Sequence, residues 1–172
     1  MPKLICLIPY DRRAAVRYAH RWAYDRNPRY YDYENIGGDC TNFASQCLFA
    51  GTGIMNYTPT FGWYYIDGNN KAPAWTGVEY FYNFMVRTEA SVGPFGIDVD
   101  AERLLPGDFV QLKKNGDVFT HTPIIVAIEG QPMPENILVA AHSYDTDYRP
   151  LSTYYDVNEY RFIHIVGARI WC

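Results

Sequence analysis

Basic charge, long apolar runs and closely spaced cysteines are all missing from this 172-residue chain. Lys and Arg number 15 against 19 Asp and Glu, giving a net charge of −4. A nucleic-acid binder would carry a basic face, so that class is set aside. No stretch approaches the ~20 apolar residues of a bilayer crossing, so no membrane span is expected. The opening Leu4-Ile5-Cys6-Leu7-Ile8 run is shorter than the ~7–15 residues of a secretory core segment. The four cysteines, Cys6, Cys40, Cys47 and Cys172, contain no CxxC. Their spacing fits neither a zinc ribbon nor a dense disulfide framework. A cytoplasmic location with free thiols is the expectation, or an extracellular or wall location if the sequence is trimmed. A bond between Cys6 and Cys172, at the two ends, stays open. No Gly-rich phosphate loop or spaced ligand set is visible, so neither cofactor nor metal is expected.

What is present is apolar and aromatic. Residues with apolar side chains make up 48%, enough for one domain, 1–172, with its own core. There are 16 Tyr, 9 Phe and 4 Trp. Tyr and Trp join a flat apolar face to a polar tip, which suits a cleft for peptides or sugars.

Helical patterning comes first and strand patterning second, which predicts an α+β architecture. A helix is expected from about Arg12 to Tyr24, with Asp11 as its cap. Gly37-Gly38 then breaks the chain before a second helix, Thr41 to Ala50, stopped by Gly51. Thr76-Gly77-Val78-Glu79 has the form of a capping box for a third. Strands are expected at Gly107–Leu112, Thr122–Ile128, Ile137–Ala141 and Arg161–Ile170.

Cys40 stands at the start of the second helix, with Asp39 placed to cap it. Helix-start N–H groups and partial positive charge favour a thiolate, the reactive form of cysteine, so Cys40 is the candidate nucleophile and is expected to react at low pH. Cys47, on the apolar stripe of the same helix, reads as core. A nucleophile needs a base, and the base an orienter. If Ile128 faces Ile137 in a hairpin, His121 and His142 become neighbours at one end of the sheet. His121 is then the base, and His142 holds its far ring nitrogen. A slip of one residue would send the two histidines to opposite faces. His20 reads as a surface or packing residue, His164 as packing against the sheet, and Asp145 as the start of a turn.

The run Gly37-Gly38-Asp39-Cys40-Thr41-Asn42-Phe43-Ala44-Ser45-Gln46 resembles the signature of the bacterial "putative amidase domain" family. The resemblance continues through Ala74-Trp75-Thr76, Leu105-Pro106-Gly107-Asp108, His121-Thr122, His142-Ser143-Tyr144-Asp145, Arg149-Pro150-Leu151-Ser152 and Tyr160-Arg161-Phe162-Ile163-His164-Ile165. It implies a fold similar to papain-like cell-wall peptidases of the NlpC and CHAP types, with N-terminal helices packed on an antiparallel sheet. It implies catalytic Cys40, His121 and His142, and the Cys40 N–H as an oxyanion donor, with Tyr24 or Tyr33 as a second. The expected activity is hydrolysis of an amide through an acyl-thioester, on a peptide or muropeptide-like substrate. The alternatives are acyl transfer to an amine, an idle peptide- or glycan-binding module, and a zinc-bound structural domain.

Overall fold

Asp11 opens the first helix as expected. Its carboxylate accepts from the Ala14 N–H at 2.9 Å and caps α1 (Arg12–Trp22). The computed structural model describes residues 1–172. Buried Ala15 and Ala19 give α1 a thin face, against which α2 (Cys40–Thr52) packs. Gly51 does not stop α2. It lies inside the helix because a Cβ there would sit 2.3 Å from Tyr10 Cε2. The stop is Gly53, left-handed at φ 66°, whose N–H reaches the Phe49 carbonyl at 2.8 Å.

The capping box at Thr76 does not form. Pro73–Thr76 is itself one helical turn, α3, and α4 (Val78–Met85) begins after Gly77 with no side-chain cap. Glu79 is drawn away to Arg161, 3.0 Å distant, a charge-assisted contact stronger than a box bond to neutral N–H.

The strands are β1 (Ile5–Ile8), β2 (Tyr65–Asp67), β3 (Asn70–Lys71), β4 (Gly93–Asp98), β5 (Phe109–Lys114), β6 (Phe119–His121), β7 (Ile124–Ile128), β8 (Ile137–Ala141), β9 (Thr146–Pro150) and β10 (Val157–Trp171). Only β2 and β3 stand apart, as a small hairpin. The others form one antiparallel sheet in the order β1-β10-β5-β7-β8-β9, with β4 also on β10 and β6 on β5. The long β10 changes partners along its length. It pairs with β5 over Val157–Ile163, with β4 over Ile163–Arg169 and with β1 over Ala168–Trp171, and the sheet curls accordingly. The helices cover one face. Phe43, Leu48, Trp63, Trp75, Phe81, Phe109 and Ile124 are buried there, and Cys47 joins them. Val110, Leu112, Ile125, Ile137 and Val139 bury the opposite face under Leu104, Leu151 and Tyr154.

The hairpin register is as expected at its closed end, with Ile128 opposite Ile137. It slips by one residue between Ile125 and Ala127, so that Ile124 pairs with Ala140. Pro123, which has no N–H to give, then separates β7 from β6. His121 therefore pairs across to Leu112 of β5 and not toward β8. The expected meeting of His121 with His142 rested on an unbroken ladder, and this slip removes it.

At the ends of the chain Cys6 and Cys172 are joined, with Cα atoms 5.8 Å apart. Two of the four expected free thiols are thus a disulfide, and Cys40 and Cys47 remain free. No helix is long and apolar enough to cross a membrane.

Candidate functional site

The start of α2 is built from buried polar side chains, each with a partner. Asp39 does not cap the helix. Its Oδ1 accepts from the Tyr33 N–H at 2.9 Å and from Asn42 Nδ2 at 2.8 Å. The Asn42 oxygen receives the Trp75 indole N–H at 2.9 Å. Ser45 Oγ donates to the Trp75 carbonyl and accepts from Trp63 Nε1. Tyr18 bonds Gln46 at 2.6 Å. Thr41 Oγ1 lies 3.1 Å from Thr122 Oγ1, which also receives Gln111 Nε2. This last link ties the first turn of α2 to the residue after His121. Apart from Cys40, every polar side chain of the Asp39–Gln46 run is spent on holding the helix start in place.

Cys40 is half-buried and keeps a free thiol. Its Sγ lies 3.9 Å from the Thr120 carbonyl oxygen and 3.7 Å from Thr41 Oγ1. The sulfur thus rests on the strand that carries His121. Burial pushes the thiol pKa up. The Thr41 hydroxyl and the Thr122 and Thr41 N–H groups offset this in part, and the Asp39 charge adds to it. The low-pH thiolate expected from the helix start is therefore not what this environment favours. The Cys40 N–H opens the first turn of α2, where helix geometry supplies no intrahelical partner, and is available to an incoming oxygen.

His121 is mostly buried and its ring forms no hydrogen bond within the protein, yet no sealed polar side-chain atom in the molecule lacks a partner. Its ring nitrogens must therefore reach the adjoining open space. That space is a surface pocket of about 460 Å³ lined by Lys114, Thr120, His121, Ser143, Tyr144, Arg149, Tyr154 and Tyr155. Burial, aided by the Lys114 and Arg149 charges, lowers the His121 pKa to about 3. Tyr144 projects into solvent from a left-handed backbone, φ 56°, an uncommon posture for a bulky residue.

His142 lies elsewhere. Its Nδ1 is 2.6 Å from Asp39 Oδ2, its Nε2 is 2.8 Å from the Trp22 carbonyl, and its ring stacks on Phe43. It has no nitrogen left to hold His121. Arg26 closes this cluster, bonding Asp145 at 2.9 and 3.0 Å and Glu34 at 3.2 Å, with Asp32 and Asp39 also in range. Asp145 thus pairs with Arg26, not with a histidine. The Tyr33 hydroxyl donates to the Gly68 carbonyl and the Tyr24 hydroxyl accepts from the Asp147 N–H, so both are committed away from the sulfur. His20 and His164 are paired to Asp147 and Asp108, each at 2.8 Å.

Lys114 and Tyr154 went unnoticed in the sequence, and Arg149 figured there only as part of the family resemblance. They lie far apart along the chain and only the curled sheet gathers them. No three His, Cys, Asp or Glu side chains converge as a ligand set.

These features define a class: an α+β protein in which a helix-start thiol rests on the strand bearing an uncommitted imidazole, beside an open pocket. Residues 9–166 match the family described as "Putative amidase domain", and the chain belongs to that family. The family name points to hydrolysis of amide bonds. The chain is also 34% identical over 165 residues to the "Uncharacterized protein YhbB" of Bacillus subtilis (strain 168), covering 91% of this chain. It spans 50% of the length of that relative. No solved structure matches.

Proposed function

We propose that the protein is a cysteine amidase or peptidase of papain-like, NlpC/CHAP-type architecture. Cys40 is its nucleophile, His121 its base, and a peptide or muropeptide fragment its substrate. The observation that carries this reading is the contact of Cys40 Sγ with the backbone of β6 next to His121, whose ring nitrogens are open to the pocket.

Both groups are uncharged at rest, because burial raises the thiol pKa and lowers that of the imidazole. Proton and sulfur therefore move together. His121 takes the thiol proton as Sγ bonds the carbonyl carbon, and the Cys40 N–H receives the developing oxyanion. The C–N bond then breaks and His121 returns the proton to the departing amine. Water, deprotonated by the same ring, hydrolyses the thioester to a carboxylic acid and restores the thiol. His142 is assigned a positioning role. Through Asp39 it fixes the residue before the nucleophile.

The Cys6–Cys172 bond supports action outside the cytoplasm, since structural disulfides persist in oxidising compartments. Cys40→Ala tests the proposal on a panel of stem-peptide amides. A loss of about a thousandfold or more in kcat is expected. Cleavage at the wild-type rate would remove Cys40 from the chemistry.

A further inference from the structure

Two cations on the wall of the His121 pocket have no anionic partner. Neither Lys114 nor Arg149 lies within ion-pair range of a carboxylate. Both nevertheless line the pocket, and none of its eight lining residues is acidic. In a chain of net charge −4, that is a local reversal of sign. Glu34 touches Ser143 at the pocket edge, but Arg26 holds it at 3.2 Å.

The cations are also positioned. The Arg149 guanidinium lies 3.7 Å from the centre of the Tyr154 ring and donates to Thr153 Oγ1 and to the Thr153 carbonyl through Nε and Nη2. No carboxylate balances its charge. Lys114 Nζ is 5.1 Å from the same ring, and the His121 ring centre is 5.4 Å away. One buried tyrosine thus spaces two free cationic donors and the uncommitted imidazole around a common cavity. Arg, with its planar fork, and Lys, with its point charge, are the usual pair for a carboxylate.

We propose that this pocket binds a carboxylate carried by the substrate, close to the amide bond that Cys40 attacks. This rests on the amidase reading and narrows it to acidic peptides, in which a free carboxylate lies beside the scissile amide. A bound carboxylate would also cancel the charges on Lys114 and Arg149. His121 would then be a stronger base with substrate present than without it. Tyr154, whose ring centre is 5.4 Å from that of His121, is neutral at rest.

The test compares alkylation of the full chain by iodoacetate and by iodoacetamide, each rate divided by that of a small free thiol. At low salt Cys40 should favour iodoacetate by about threefold or more, and the preference should collapse in 1 M NaCl. Lys114→Gln, a side chain with no hydrogen bond to lose, should reduce it, and Arg149→Gln should too. Labelling by both reagents at the small-thiol ratio overturns the carboxylate site while leaving the thiol reading intact. Resistance of Cys40 to both reagents, with labelling once unfolded, counts against the thiol reading instead. The site is then judged by NMR. N-acetylglycine should shift His121 and Thr120 signals where the uncharged N-acetylglycinamide does not, and equal responses overturn it.

Discussion

At the scale of single residues, the site is set by how burial shifts two titrating groups. His121 is held to a pKa of about 3, against about 6.5 when exposed. Above pH 6.5 it is neutral in both folded and unfolded chains and costs nothing. Below that, the unfolded chain takes up a proton that the folded chain refuses, so stability falls as pH drops from about 6.5 toward 3. The loss accrues at about 1.4 kcal/mol per pH unit. Urea unfolding at pH 7 and pH 5 should show this slope, and His121→Gln should lessen it. For Cys40 the sign is opposite in effect. The raised thiol pKa means that iodoacetamide labelling without substrate should rise only above the pH range of an ordinary thiol. Rapid labelling at pH 6 would indicate a thiolate–imidazolium pair instead. Cys40 and His121 were legible as candidates, the one from its place at a helix start and the other from its place at a strand start. The charge states were not, because they depend on packing from β5, β9 and α2 together. Asp39 shows the same limit. Its position before the helix suggests a cap, but the nearby Tyr33 N–H, Asn42 and His142 claim both its oxygens.

At the scale of elements, the helix start is held by a buried pair. Asp39 and His142 are each about 1% exposed and joined at 2.6 Å. His142→Ala would leave the Asp39 carboxylate short of a partner inside the protein. A stability loss of about 3 kcal/mol is expected by urea unfolding, with partial recovery in His142→Asn. If His142 only positions, activity per folded molecule should fall far less than in His121→Ala. Apolar periodicity and caps made α1, α2 and the β7–β8 hairpin legible. The slip within β7 was not. Val126 looks like any strand residue, and only the joint demands of Pro123 and the pairing of β5 with β6 force the extra residue. Gly51 and Thr76 were misleading for similar reasons. Each has the local form of a helix boundary, and each is overruled by a neighbour distant in sequence, Tyr10 in one case and Arg161, through Glu79, in the other.

At the scale of the molecule, the sheet curls around β10, and the chain ends are locked beside it by Cys6–Cys172. A crosslink across 166 residues removes much of the freedom of the unfolded chain. Cys6→Ser with Cys172→Ser should cost about 2–5 kcal/mol and lower Tm, while Cys40 alkylation stays unchanged. The α+β class was legible from the order of helical and strand patterns. The pairing of the ends was not, since four cysteines allow several partnerships and β1 is too short a run to declare itself a strand.

Trapping of the acyl-enzyme tests the central claim most directly. The protein is mixed with an activated ester of a short acidic peptide, quenched in acid and measured by intact-mass and peptide-mapping spectrometry. The expected result is one acyl group on Cys40, formed in the wild type and absent in Cys40→Ala and His121→Ala. Turnover with no adduct on Cys40, or an adduct that forms equally well without His121, would contradict a thiol and an imidazole acting together at this pocket.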